Sequence, residues 1–329
     1  MTTTTNPDVT PYPMSDGSTI DLAAGRKKRA RRRTRTGILF TLPFWIGFLA
    51  FYAIPMLASV YLSFTHYDVL TAPRWAGLGN YLTLFKDASH NSALLNTVVY
   101  AGLSVPINVV LGLLVAVLLN QKVKGVAVWR SIYYLPAVTP VVAYALLWRW
   151  MLSKDFGLIN AILDNFGISA VNWLGHPRWI MVAFVFAGLW TIGSSMIINL
   201  AGLQGIPTDL YDAARVDGAS FIQRFRSVTL PMMSPVLFYN VVMGIVGAMQ
   251  SFSFFFVITQ GTGNMQYTDI GAVYMVQLYR VAFMKFRMGY ASAMAWFMFF
   301  IIVGLTLLVM RVSKNLVYYE SGMLEMADE

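Results

Sequence analysis

Residues 211–231 read YDAARVDGASFIQRFRSVTLP, a segment with five charged side chains set between two windows, 179–203 and 236–258, that hold no Asp, Glu, Lys, Arg or His. Four more windows of the same kind occur, at 39–63, 97–119, 131–148 and 290–310, so the chain carries six in all, each 18 to 25 residues long. Crossing the hydrocarbon core of a bilayer takes about 20 apolar residues in an α-helix. Only a structure that satisfies its own backbone can cross, so six separated runs of this length predict six transmembrane helices rather than one soluble core. The bulk composition agrees: 57% of the 329 residues are hydrophobic and 12% are charged, against about a quarter charged in soluble domains. The expected fold is therefore all-α, a polytopic membrane protein with six transmembrane helices.

Charge sets the expected orientation. Eight basic residues lie between Arg26 and Arg35 in RKKRARRRTR, directly before the first window. Next to a membrane helix such a run acts as a cytoplasmic anchor that also favours anionic lipid headgroups, rather than as a nucleic-acid site. With the N-terminus inside, 16 of the 24 Lys and Arg fall on the cytoplasmic side. Half of those 16 belong to the N-terminal run, so the orientation rests mainly on the first helix. Residues 1–25, rich in Thr, Pro, Asp and Ser, show no periodicity, and 1–37 are expected to form a disordered basic cytoplasmic tail. The membrane domain is expected over 38–312, with a cytoplasmic loop at 204–235 and a C-terminal cytoplasmic tail at 313–329. The apolar run after Gly37 is too long for the 7–15-residue core of a signal peptide, so the first helix is expected to stay.

Several chemistries find no support. The chain has no cysteine, and its three histidines, His66, His90 and His176, are expected in loops without the spacing of metal ligands. No metal, no catalytic residue and no cofactor is expected. A membrane-embedded enzyme would need clustered His, Asp, Glu or Cys. Ion-coupled carriers place ionisable groups inside the membrane, and the six windows contain none. A self-sufficient secondary carrier or channel for a neutral solute remains the alternative.

Neutral polar groups mark a possible pathway. Trp190, Thr191, Ser194 and Ser195 fall at i, i+1, i+4 and i+5, one face of a continuous α-helix. Gly244, Gly247 and Ser251 form a stripe with Gln250 beside it, followed by Phe252, Phe254 and Phe255. Small residues on membrane helices serve close packing; hydroxyl, amide and indole groups beside aromatic rings also suit a sugar. Both readings stand. Prolines at 43, 55, 106, 136 and 140 lie inside the windows and are expected to kink their helices.

Within the loop, Thr208 is expected to cap a helix whose first turns hold Asp209 and Asp212. Gly218 ends it. Ser220 and Gln223 have capping-box spacing for a second helix that starts at Phe221 and stops before Pro231. Leu210, Ala214, Phe221, Phe225 and Val228 repeat at helical intervals, leaving Arg215, Arg224 and Arg226 for water or a partner. The result is a helical elbow, with an amphipathic helix on the membrane surface as the other reading.

The pattern Asp212-Ala213-Ala214, three residues, Gly218, nine residues, Val228-Thr229-Leu230-Pro231 resembles the Glu-Ala-Ala signature of permease subunits of binding-protein-dependent ABC importers. Asp212 stands where the family usually has Glu, and Val228 where Ile is commoner. GLGNYLTLF (77–85), LNTVVYAGLSVPINVVLGLLVAVLLN (95–120), RSIYYLPAVTPVVAYALLW (130–148) and MGYASAMAW (288–296) resemble the carbohydrate branch, the maltose and glycerol-phosphate types, over about 38–315. GTGN (261–264) departs from the family's Gly-Gly-Pro.

The resemblance implies a type I permease-like bundle in a bacterial or archaeal plasma membrane, with both termini cytoplasmic. It further implies a sugar as cargo and four kinds of partner: a second, homologous permease, two cytoplasmic ATP-binding subunits, an extracytoplasmic solute-binding protein and membrane lipid. Asp212, Ala213, Ala214, Gly218, Val228, Leu230 and Pro231 would form the ATPase-coupling element. The chain has no G-x-x-x-x-G-K-[ST] of its own, so hydrolysis is expected in the partner.

Overall fold

The computed structural model describes residues 35–121, 124–260 and 271–313. In chain order they form α1 (Arg35–Ser63), a two-stranded hairpin of β1 (Thr65–His66) and β2 (Arg74–Trp75), α2 (Gly79–Lys86) and α3 (Ala88–Leu119). Then come α4 (Val126–Val138) and α5 (Val141–Met151), α6 (Leu158–Asp164), α7 (Pro177–Gln204), α8 (Thr208–Val216) and α9 (Phe221–Met249). The chain closes with α10 (Ser253–Gln260), α11 (Tyr274–Tyr279) and α12 (Met288–Ser313). The hairpin is antiparallel, with Thr65 opposite Trp75 and His66 opposite Arg74.

Five helices, α1, α3, α7, α9 and α12, are long and apolar enough to cross a bilayer. The window at 131–148 is not one straight span: it is the pair α4 and α5, which meet at an angle of 95°. The cause is local. Pro136 sits in a 3-10 turn, Leu135–Val138, and Pro140 has extended backbone as the N-cap of α5, so two missing N–H donors within five residues end one helix and start another. The chain is already helical at Arg35, the first described residue, and still helical at Ser313, the last. The remainder of both tails and GTGN lie outside the described residues.

Other prolines are absorbed without a break. Pro55 follows a π turn at Leu49–Ala53, and Pro231 follows one at Phe225–Thr229. A proline clashes with the carbonyl four residues back, here that of Phe51 or Ser227, which in each case lies inside the widened turn. The helix therefore continues past the ring.

The chain divides into two compact units at Ser59 and Val60. The first holds α1 as far as Ser59, where Phe40, Phe44, Phe51 and Leu57 are exposed apolar side chains. In the second, three apolar clusters form the core. One joins α5, α7 and α10 through Tyr144, Trp148, Phe184, Phe254 and Phe255; one joins α2, α11 and α12 through Leu84, Tyr274, Met294 and Met298. The third joins α3, α7 and α9 through Leu113, Ala116, Met196, Leu200 and Met233. Small residues allow the closest approaches: a Cβ on Gly193 of α7 would strike the Tyr133 carbonyl of α4, and one on Gly112 of α3 would strike the Ser195 side chain.

Gly193→Ala is expected to force α4 from α7, at about 1–3 kcal/mol as for other overpacked sites. Denaturant titration of the purified protein should show the loss, with Gly247→Ala, whose added Cβ meets nothing within 4 Å, close to wild type.

Candidate functional site

The segment between α7 and α9 is an elbow held by three local devices. Pro207, not Thr208, is the N-cap of α8; Thr208 is its first residue and makes no side-chain cap bond. Proline at that position pre-sets extended backbone, so the turn does not need the threonine hydroxyl. At the other end Gly218 adopts φ +75°. Its N–H donates to the Arg215 carbonyl at 3.0 Å and that of Ala219 to the Ala214 carbonyl at 2.9 Å, the paired bonds of a Schellman stop. Ser220 and Gln223 then form the expected capping box, the Ser220 N–H donating to Oε1 of Gln223 at 2.7 Å and the Gln223 N–H to Oγ of Ser220 at 3.4 Å.

The helix that starts at Phe221 does not end before Pro231. It passes through the π turn and continues as α9 to Met249, so the second arm of the elbow is the base of a membrane span. The signature residues divide between two surroundings. Asp212, Ala213 and Gly218 are exposed and Ala214 is half-buried. Val228 and Leu230 pack against the third apolar cluster, with Pro231 half-buried beside them. Asp212 forms a 2.7 Å ion pair with Arg215 on the same face, both side chains 63% exposed. Arg215 pairs with Asp212 while both stay open to water, and at this exposure the pair orients the carboxylate more than it stabilises the fold. Leu210, Val216, Phe221 and Ile222 are exposed apolar side chains around it. Between the elbow and the ends of α3 and α7 lies a cleft of about 790 Å³ lined by Asn120, Gln204, Thr208, Tyr211, Asp212 and Arg224 among others.

Three contacts tie the elbow to its two spans. The hydroxyls of Tyr211 in α8 and Thr229 in α9 are 3.1 Å apart and share a hydrogen bond. Gly202 in α7 leaves room for Met233 and Val236 of α9, whose side chains come within 3.0 and 2.9 Å of where a Cβ would stand. Deeper in the membrane, the buried Asn240 donates from Nδ2 to Oδ1 of the buried Asn199 at 2.8 Å, and Asn199 donates in turn to Oγ of Ser195 at 3.4 Å. An amide pair buried in lipid has no solvent to fall back on, so each holds the other. Sequence reasoning missed both asparagines. Their signal was an amide inside each charge-free window, with nothing in the sequence to pair them.

The pathway candidates do not form one surface. A 3-10 turn at Leu189–Thr191 interrupts α7; its residues advance about 120° each rather than 100°, so the face expected from a continuous helix is rotated apart. Trp190 is half-buried and meets Trp148 edge to face at 5.9 Å, whereas Ser195 turns to Gly112 of α3. Thr191 and Ser194 are exposed, and the Thr191 hydroxyl donates to the Gly188 carbonyl at 3.0 Å. In α9 the expected stripe ends early: Gln250 is the exposed C-cap and Ser251 lies beyond the helix. Gly244 instead receives Val105 of α3. Phe254 and Phe255 are buried, Phe254 stacked on Tyr144 at 4.9 Å, so they do not flank an open path. The indole nitrogens of Trp148 and Trp190 are buried without a hydrogen-bond acceptor among the described residues.

One histidine differs from expectation. His90 lies in the first turn of α3 rather than in a loop, buried between the rings of Tyr274 and Phe297. His66 is in the hairpin, and His176 precedes α7 as its N-cap, its Nδ1 accepting from the Arg178 N–H at 3.2 Å. Among the described residues no three His, Cys, Asp or Glu side chains cluster as metal ligands.

Residues 92–317 match the family model described as "Binding-protein-dependent transport system inner membrane component". The chain is 40% identical over 302 residues to the "Probable ABC transporter permease protein YesP" of Bacillus subtilis, covering 91% of this chain and 97% of the relative. It is 34% identical to the "Trehalose/maltose transport system permease protein MalF" of Thermococcus litoralis, covering 86% and 95%. A solved bacterial ABC transporter involved in the import of the acidic polysaccharide alginate includes a chain that superposes with a TM-score of 0.77 at 25% identity, covering 89% of this chain and all of that one.

Asn240→Leu should cost about 1–3 kcal/mol, because it strands the Asn199 amide in the membrane. Asn199→Leu/Asn240→Leu together should recover most of that stability, since neither polar partner is left. A double-mutant cycle on unfolding midpoints checks this; additive losses would show that the amides act separately.

Proposed function

The chain belongs to the family of inner membrane components of binding-protein-dependent transport systems, and on that premise we propose that it carries a sugar across the plasma membrane as one permease of an ABC importer and takes its motion from a cytoplasmic ATPase through the elbow. The chain itself is the non-catalytic permease. Its pathway is completed by a second, related permease, two ATP-binding subunits supply the energy, and an extracytoplasmic solute-binding protein delivers the cargo. The relatives named for trehalose, maltose and arabinooligosaccharides support a saccharide, as does the solved transporter in complex with an alginate pentasaccharide-bound periplasmic protein.

The observation that carries this reading is the continuity of the elbow with α9. A push on the exposed face of α8, around Asp212 and Ala213, passes to α9 through the Tyr211 and Thr229 hydroxyls and to α7 through the Gly202 contact. The buried asparagines keep the two spans together above it. Such a hairpin moves as one lever rather than flexing at its base. Gly218 supports the reading because only a residue tolerant of φ +75° lets the second helix turn back at that point. With the elbow cytoplasmic, alternation of the spans puts both termini inside.

For the cargo, Trp190 is the candidate that the geometry favours. Its half-buried ring offers a face to sugar C–H groups, while its N–H and that of Trp148 are buried without an acceptor among the described residues and would reach a sugar hydroxyl only once the helices around them part. Thr191, Ser194, Gln250 and Ser251 are exposed or half-buried polar groups that would serve where a second permease closes the path. Ser195, turned into α3, would serve packing.

Two expected outcomes test the scheme in the co-expressed complex. Asp212→Lys combined with Gly218→Val should release the ATPase subunits during purification by at least tenfold; an unchanged yield of ATPase would remove these residues from the coupling element. Gln250→Leu and Ser251→Leu should each lower sugar uptake severalfold with the ATPase still bound, and wild-type uptake in both would assign them to packing.

A further inference from the structure

The end of the molecule opposite the elbow carries a second organised polar surface. Helix α3 separates the two: its N-cap Asp87 is at this end, and Asn120, just past its last residue, lines the elbow cleft. A pocket of about 350 Å³ opens there between the β1–β2 hairpin and the start of α12, lined by His66, Asp68, Thr71, Arg74, Arg287 and Tyr290 among others.

The two segments that form this pocket carry unequal charge. Residues 64–87 and 281–289 contain four Lys and Arg, namely Arg74, Lys86, Lys285 and Arg287, against two carboxylates, Asp68 and Asp87. Both carboxylates are occupied internally. Asp68 accepts from the backbone N–H and the hydroxyl of Thr71, each at 2.8 Å, bonds that hold its carboxyl below the usual range and keep it ionised. Asp87 caps α3 through the Ser89 N–H at 3.0 Å and accepts from the Tyr290 hydroxyl at 2.9 Å. Arg74 and Arg287 are exposed and neither forms an ion pair with a described residue; the Arg287 guanidinium lies 4.7 Å from the centre of the Tyr290 ring.

The segments that carry Arg74 and Arg287 are tied together although the two residues are 213 positions apart in sequence. The Gly289 N–H donates to the Tyr67 carbonyl at 3.0 Å, and Gly289 has no room for a Cβ against the Thr65 carbonyl. The buried Asn80 donates to the carbonyls of Ser63 and Thr65 at 2.9 and 2.8 Å. The two non-glycine residues with positive φ among the described residues are also here, Val69 at +72° in the hairpin turn and Phe286 at +53° directly before Arg287. Left-handed backbone in a valine and a phenylalanine is unfavourable and persists where surrounding structure enforces it, commonly at functional sites.

We propose that this platform docks an acidic patch of the solute-binding protein, with Arg74 and Arg287 each receiving a carboxylate of that partner. The proposal rests on the permease reading above, which places the elbow in the cytoplasm and this end outside. Two guanidiniums on a rigid hydrogen-bonded frame suit carboxylates at fixed positions on a folded surface. Fluid lipid headgroups, by contrast, are matched by flexible basic side chains without such a frame. Exposed Leu70 and Trp75 on the hairpin and Phe286 beside α12 add the apolar and aromatic content usual at protein interfaces.

The test uses the whole transporter in neutral-lipid nanodiscs, with the purified solute-binding protein that stimulates its ATPase as the probe. Arg74→Glu/Arg287→Glu should weaken binding at least tenfold at 50 mM salt, while ATPase subunits co-purify as in wild type. Arg74→Lys/Arg287→Lys should stay within about threefold, and raising salt to 300 mM should weaken wild type more than the reversed variant. Wild-type binding with an equal affinity and salt dependence in the Glu variant overturns this assignment alone. So does a Glu defect that appears only in nanodiscs with anionic phosphatidylglycerol, which would give the cations to lipid. A wild-type complex that keeps its ATPase but responds to no solute-binding protein overturns the partner reading and this docking surface with it.

Discussion

Backbone hydrogen bonding in lipid is the constraint on which the rest of the structure depends. Water cannot satisfy a stray N–H or carbonyl there, so every departure from a regular helix must find an internal solution. The prolines show three of them. Pro55 and Pro231 are carried by π turns that move the opposing carbonyl aside, Pro106 sits within the unbroken α3, and Pro136 with Pro140 breaks a span into α4 and α5 at 95°. The first solution has a functional consequence. Because the helix survives Pro231, the second arm of the elbow is the first part of α9 itself rather than a separate helix joined to it by a hinge.

Polar side chains obey the same constraint. Asn199 and Asn240 are buried inside a domain without charged residues in its windows, and each is the other's partner. Along α9 the Tyr211–Thr229 pair with α8 comes first, then the Gly202 contact with α7, then the Asn199–Asn240 bond with α7. The elbow would therefore deliver displacement to two spans at once. At the opposite end a different polar frame, built on Asn80 and Gly289, fixes a hairpin to α12 and brings two arginines to one pocket. The bundle thus joins two organised polar ends through apolar spans, as expected of a subunit that receives energy on one side and cargo on the other.

Much of this was legible in the sequence, and the unread part has a common cause. The spans followed from charge-free windows, since burying a charge in lipid is costly at any position in a helix. The Ser220–Gln223 box and the stop at Gly218 followed from local chemistry within a few residues. The errors concerned continuity and facing. The first helix of the elbow is capped by Pro207 rather than Thr208, the helix after Ser220 outlasts Pro231, and the 3-10 turn at 189–191 rotates Trp190 away from Ser195. His90 left its expected loop for the interior, against Tyr274 and Phe297. The first three turn on how the backbone passes a proline or tightens for one turn, and the burial of His90 on which helices pack against it.

By itself the sequence determined the membrane class, the positions of the six apolar windows and the signature Asp-Ala-Ala to Leu-Pro elbow. These follow from hydropathy and from interactions within a turn or two. Only the tertiary structure decided that Asn199 meets Asn240, that Phe254 and Phe255 fill a core, and that Arg74 and Arg287 share one pocket. Those facts require residues tens to hundreds of positions apart to meet. Helical periodicity fixes which side chains share a face, but only packing against the other helices fixes which way that face points.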